Sequence, residues 1–249
     1  MFKLFRNIRQ KLLADGKSSK YLKYAIGEIV LVVVGILIAL QINNWNELRK
    51  ERKLEVVVLN DIKDNIIRNN ELIEKAIKTI EEINISADFV VAYLTSDSIP
   101  DSVFYDHIDQ ANRSGTFLFR LNSDGYESLK SIGFTIIENE ILKDEILSLY
   151  EVTYGEVLTR LNFANSLYLG DSNWWKDYFY KIAPDKNVPY DLQALRKNKR
   201  FLSDINEIYF IRNMFHYSIK ESLLQSQKVL QLIEEELYKQ NVLTKKKSP

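Results

Sequence analysis

Apolar residues recur along this chain at helical spacing, and in one place they run together without a break. Every position from 29 to 40 is Ile, Val, Leu, Ala or Gly. Widened to residues 24–42, the run holds only Glu28 and Gln41 as strongly polar side chains. At 1.5 Å per residue it measures about 28 Å, one hydrocarbon thickness. Tyr21 and Tyr24 on one side and Trp45 on the other supply interfacial aromatics. A cleaved export signal and a buried soluble helix are the rival readings. Against the signal, a long polar and basic stretch precedes the run, and its exit, "LQINNWNE", has no small-x-small cleavage pattern. The pattern is read as one uncleaved membrane helix over residues 24–45.

No Gly or Pro occurs between Gly35 and Pro100, and the apolar pattern there becomes periodic. Leu59, Ile62, Ile66, Asn69, Ile73, Ala76, Ile80, Ile83, Ala87, Val90 and Leu94 recur at alternating spacings of three and four. Lys63, Asp64, Arg68, Glu71, Glu74, Lys78 and Glu81 fall on other faces. This predicts one long helix, either packed in an antiparallel bundle or paired with a second subunit in a parallel coiled coil. Beyond Pro100 the pattern is least regular, with turn signals at "RSGT" and "NSDGY" and short helices expected near 102–112 and 123–132. "GTFLFRL" reads as a brief extended segment. Asn139 is the expected N-cap of a helix running to about Leu169. After it, "SNWWKDYFYKI" reads as a short aromatic helix and "APDKNVP" as a loop. A last helix starts near Ser203 or Asp204 and ends near Asn241, with Ile208, Ile211, Phe215, Ile219, Leu223, Val229, Ile233 and Leu237 inward. The expected architecture is all-α: a transmembrane helix followed by a long-helix bundle. Its parts are a basic cytoplasmic segment (1–23), the span (24–45), one helical domain (46–241) and a disordered tail (242–249).

Composition narrows this picture. With 34 basic and 34 acidic residues the net charge is zero, so no global field draws the molecule to nucleic acid. Charged residues make up 27% of the chain, too many for a protein lying wholly in a membrane. Eight Gly and four Pro favour long helices over a turn-rich β fold. The absence of Cys removes disulfides, thiolate metal sites and cysteine nucleophiles together.

Flanking charge sets the expected orientation. Lys3, Arg6, Arg9, Lys11, Lys17, Lys20 and Lys23 precede the run against Asp15 alone, whereas Arg49, Lys50, Arg52 and Lys53 follow it mixed with acids. The N-terminus is therefore expected in the cytoplasm and the helical domain in the periplasm. Phe5, Ile8 and Leu12 share one helical face between basic residues, which suits either a short interfacial helix or a plain topogenic tail. The segment "YAIGEIVLVVVGILIALQINNWNE" followed by "RKERKLE", together with "YESLKSIGFTIIENEILKDEILSLYE", resembles an uncharacterised family of single-span inner-membrane proteins of Bacteroidota. That resemblance implies a diderm inner-membrane setting and brings no activity with it.

Motifs that carry chemistry are missing. His107 and His216 lie far apart without ligand-spaced partners. No nucleophile elbow, phosphate loop or dinucleotide turn occurs. Glu138 and Glu140 suit a helix N-terminus, and residues 234–236 ("EEE") suit a solvated face. No catalytic residue, metal or cofactor is assigned, and the chain is not expected to be an enzyme. Two groups stand out as candidate contact sites. Trp174, Trp175, Tyr178, Phe179 and Tyr180 put five rings into seven positions, too many for all to face one core. Trp174, Trp175, Tyr178 and Phe179 either offer a ligand or partner surface or form a capping helix, with Trp174 and Tyr178 inward and Trp175 and Phe179 covering a neighbouring loop. Glu28, Gly35 and Ala39 fall on one line of the membrane helix. There Gly35 and Ala39 form a small-xxx-small pair, and Glu28 hydrogen-bonds a neighbouring helix, snorkels to the headgroups or serves an ion or proton pathway. The expected function is a membrane-anchored binding or assembly protein of the cell envelope, working through the bilayer and a membrane-protein partner or its own copies. The alternative is a periplasmic ligand sensor, which needs a separate partner because about 23 cytoplasmic residues leave no room for an output domain.

Overall fold

The computed structural model describes residues 18–96, 102–111, 120–170, 177–183 and 186–246. The chain divides into two units, Met1–Glu55 and Val56–Pro249. Helix α1, Ser18–Leu94, contributes residues to both. In the first unit its apolar side chains are exposed: Ile29 is 64% and Leu37 58% exposed. This N-terminal part is long and apolar enough to cross a membrane. Residues 1–17, with Lys3, Arg6, Arg9, Lys11 and Lys17 of the basic flank, lie outside the described residues.

The second unit is a helical domain. Residues 56–94 of α1 are followed by α2 (Ser102–Ala111), α3 (Asp124–Ile132), a 3-10 turn (Phe134–Ile136) and α4 (Glu140–Leu147). A π-helical turn (Ser148–Thr153) leads straight into α5 (Tyr154–Gly170). A two-stranded hairpin, β1 (Phe179–Ala183) and β2 (Lys186–Pro189), precedes α6 (Leu192–Lys197) and the long α7 (Lys199–Lys246). Numbering falls on α7 as it rises on α1: Lys63 pairs Glu234, Asn70 accepts from Ser226, and Lys220 donates to Glu81 at 2.7 Å. The two helices are antiparallel. The periodic stripe of α1 supplies the core: Leu59, Ile62, Ile66, Asn69, Ile73 and Ile80 are all fully buried. They pack with Leu142, Ile146, Phe215, Ile219, Val229 and Ile233 of the same chain, so the stripe is used inside the bundle and not in a coiled coil between subunits.

Polar side chains fix the irregular segment onto α1. Gly125 N donates to Asn65 Oδ1 at 2.6 Å, and one turn later Asn69 takes both backbone groups of Asn122: its Oδ1 accepts from N at 2.7 Å and its Nδ2 donates to O at 2.9 Å. The approach is close. A Cβ on Gly125 would lie 2.8 Å from the backbone of Asp61 and Ile62, so only glycine fits. Helix α3 ends at Gly133, whose φ of 108° suits glycine. Asn139 caps α4 by accepting from Leu142 N, as the sequence predicts.

The second half departs from the sequence reading in three places. Residues 179–183 are a strand where an aromatic helix was expected, and 186–189 pair with it where a loop was expected. Phe179 is buried and Tyr180 exposed, opposite faces as neighbouring residues of a strand take. Helix α7 begins at Lys199, ahead of Ser203, because Asn198 Oδ1 accepts from Phe201 N and Phe201 is fully buried. It also continues to Lys246, five residues into the stretch expected as a tail. A second core forms here from Val90, Leu94, Phe104, Ile108, Phe179, Leu195 and Phe201. Most of "GTFLFRL" lies outside the described residues.

Candidate functional site

The irregular turn between α4 and α5 is where the helical domain departs from ideal geometry. Leu142, Ile146 and Leu149 face the core at helical spacing; so do Tyr150, Tyr154, Val157, Leu161 and Ala164. The second set is one residue out of phase with the first. A π turn absorbs one extra residue, which lets the adjacent Leu149 and Tyr150 both point inward.

Three tyrosines gather at this turn. Tyr126, held against α1 through Gly125, stacks on Tyr150 with ring centroids 4.6 Å apart and planes within 3°. Tyr154 meets Tyr150 edge-on at 5.2 Å. Tyr126 donates to Glu151 at 2.6 Å, and Lys130 reaches the same carboxylate and lies over the Tyr126 ring. Burial pushes the phenols of Tyr126 and Tyr150 well above the usual tyrosine range, helped at Tyr126 by the Glu151 carboxylate. Tyr154 is pushed up to about 12 by burial, with Asn69 and Ser226 nearby drawing it back. All three phenols are held in the neutral form at ordinary pH. In return, the bond from Tyr126 holds Glu151 below the usual carboxylate range.

The outer side of the same turn borders α7 across a cleft of about 540 Å³. Ser148, Val152, Thr153 and Glu156 form one wall; Tyr217, Ser218, Glu221, Leu224, Gln225 and Lys228 form the other. Of the lining side chains, the apolar Val152, Tyr217 and Leu224 are 63%, 65% and 62% exposed. At one rim Glu145 accepts from Lys228 at 2.6 Å and from Gln225 at 2.7 Å, and the ammonium holds its carboxyl below the usual range. A volume of this size suits a side-chain cluster or a small ligand. No cluster of three metal-ligating side chains occurs among the described residues.

The residues singled out from sequence are distributed differently. Trp174 and Trp175 lie outside the described residues. Tyr178 is half-buried with its ring 4.9 Å from Phe201, and Phe179 is only 3% exposed in the second core. Phe179 is therefore core and not a partner surface, because strand alternation turns it inward. Glu28, Gly35 and Ala39 lie in the apolar part of α1, half-exposed at Glu28 and exposed at the other two. A Cβ at Gly35 would meet nothing within 4 Å, so the single chain has room for one. The cleft at the π turn escaped the sequence reading. Its signal was there: the adjacent inward residues Leu149 and Tyr150 break the three-four spacing by one.

The fold defines an all-α protein: an N-terminal helix long and apolar enough to cross a membrane, and a helical domain after it. The chain belongs to the family of unknown function DUF6090, which matches residues 28–170. The matched stretch holds the Asn65–Asn69 clamp, the tyrosines and the π turn, and ends before α7. No curated protein and no solved structure matches the chain.

Proposed function

We propose that this is a membrane-anchored protein of the cell envelope that works by assembly, binding protein partners or further copies of itself through its helical domain. The observation that supports the reading most is the set of large apolar side chains the domain leaves open beside one cleft: Val152, Tyr217 and Leu224. Apolar groups grouped in this way mark surfaces that another molecule covers. In this reading the apolar part of α1 is the single span of a Bacteroidota inner membrane. The basic residues ahead of it hold the N-terminus in the cytoplasm, and the helical domain is periplasmic. Glu28, Gly35 and Ala39 then offer a close-packing line to a second membrane helix. The cleft volume favours a second reading, a periplasmic sensor that passes a signal through a separate partner.

Purification of the full chain from native membranes in mild detergent, followed by mass measurement of the intact particle, tests the proposal. A homo-oligomer or a stoichiometric second protein is the expected result. A bare monomer overturns the assembly reading, and a monomer that retains a small molecule turns the case to the sensor.

A further inference from the structure

Phe210, Tyr217 and Leu224 stand seven residues apart on α7 and are 64%, 65% and 62% exposed. Seven residues are close to two helical turns, so the three side chains form one line along the helix. That line is not the one the bundle uses, which runs through Ile211, Phe215, Ile219, Ser222, Val229 and Ile233. Helix α7 thus carries a second apolar seam, and the cleft beside the π turn runs along it.

The charges on this seam are arranged around Leu224. Glu221 precedes it by three residues and Lys228 follows it by four, about 5 Å to either side along the helix. Glu221 forms no ion pair among the described residues. Lys228, 56% exposed, holds Glu145 with one of its three donors. A surface with opposite charges at nearly equal distances from its centre is complementary to itself under a two-fold rotation. A parallel arrangement would instead stack Glu221 on Glu221.

We propose that α7 pairs antiparallel with α7 of a second copy of this chain, about a two-fold axis beside Leu224. Each Leu224 enters the other copy's cleft between Val152 and Tyr217. Glu221 meets the partner's Lys228 on both sides of the axis, and Phe210 meets the partner's Tyr238, whose own copy leaves it 72% exposed. This rests on the assembly reading and deepens it by naming the partner and the surface.

The chain has no cysteine, so a single thiol reports its own neighbours. The full chain carrying Leu224→Cys, in membranes and in mild detergent, is treated with a short thiol crosslinker. Ile85→Cys, on α1 and 64% exposed, is the reference. Leu224→Cys is expected to give a covalent homodimer well above the Ile85→Cys level. Adding Glu221→Lys should cut that yield roughly tenfold through two like-charge contacts. Copies with Glu221→Lys mixed with copies carrying Lys228→Glu should recover it, with circular dichroism unchanged throughout. Yields no higher than the reference, or unmoved by charge reversal, overturn the pairing. A different protein captured at Leu224→Cys overturns self-pairing and leaves the assembly reading standing; a bare monomer in the intact-particle measurement removes both.

Discussion

Asn69 is polar in the middle of an apolar stripe, and its position is explained by two hydrogen bonds to the backbone of Asn122. Asn69→Leu keeps the volume and strands both groups. A fully buried unsatisfied group costs on the order of 1–3 kcal/mol, so stranding these two should cost up to about 2–6 kcal/mol, read as a lower urea midpoint with unchanged slope. A variant as stable as the parent would show that water satisfies Asn122. His216 supplies a second residue-scale expectation. Its Nε2 lies 3.3 Å from Glu81, with Lys220 on the same carboxylate oxygen. Burial lowers its pKa, Lys220 adds to this, and Glu81 opposes it. A folded-state pKa below the unfolded one means that the unfolded chain binds the proton first. The stability His216 contributes is therefore complete above about pH 6.5 and is lost as pH falls through that range. Melting temperature should drop between about pH 7 and pH 5, and the drop should shrink in His216→Gln. An identical pH profile in the variant would assign the effect elsewhere.

Among the elements, the π turn is the one whose removal is instructive. Deleting Val152, which is exposed, takes out the single extra residue. The inward positions after the turn then come into phase with Leu142, Ile146 and Leu149, and an ordinary α-helix can run through. Far-ultraviolet dichroism and cooperative melting should persist, while the near-ultraviolet tyrosine signal from the Tyr126–Tyr150 stack should weaken. Loss of cooperative unfolding would mean that the wide turn is needed to close the bundle. The phase break was readable in the sequence as two adjacent inward residues. Its consequence, a cleft against α7, was not, because Val152 and Leu224 are 72 positions apart in the chain. The hairpin is hidden in the sequence for a related reason. Five rings in seven positions mask a period of two, and residues 186–189 become a strand only because residues 179–183 are there to pair with.

For the molecule as a whole, the proposed topology makes a direct prediction. A phosphatase fused after Asn241 should be active in a diderm host and a cytoplasmic reporter at the same place silent, since the basic flank precedes the apolar run. The reverse pattern would invert the orientation. The sequence alone determined the class: an apolar run of membrane length, then a stripe of three-four spacing that has to be a long helix. Both are one-dimensional properties, periodicity and transfer free energy summed over neighbours in the chain. It also placed the cap at Asn139, since a cap is a contact over three residues. Tertiary structure decided that the stripe faces α7 of the same chain, that Asn65 and Asn69 hold the Gly125 loop, and that Phe179 is core. It also decided that Leu224, Tyr217 and Val152 share one open cleft. These depend on which distant segments meet, and pairing of that kind is set by the packing of all the helices at once.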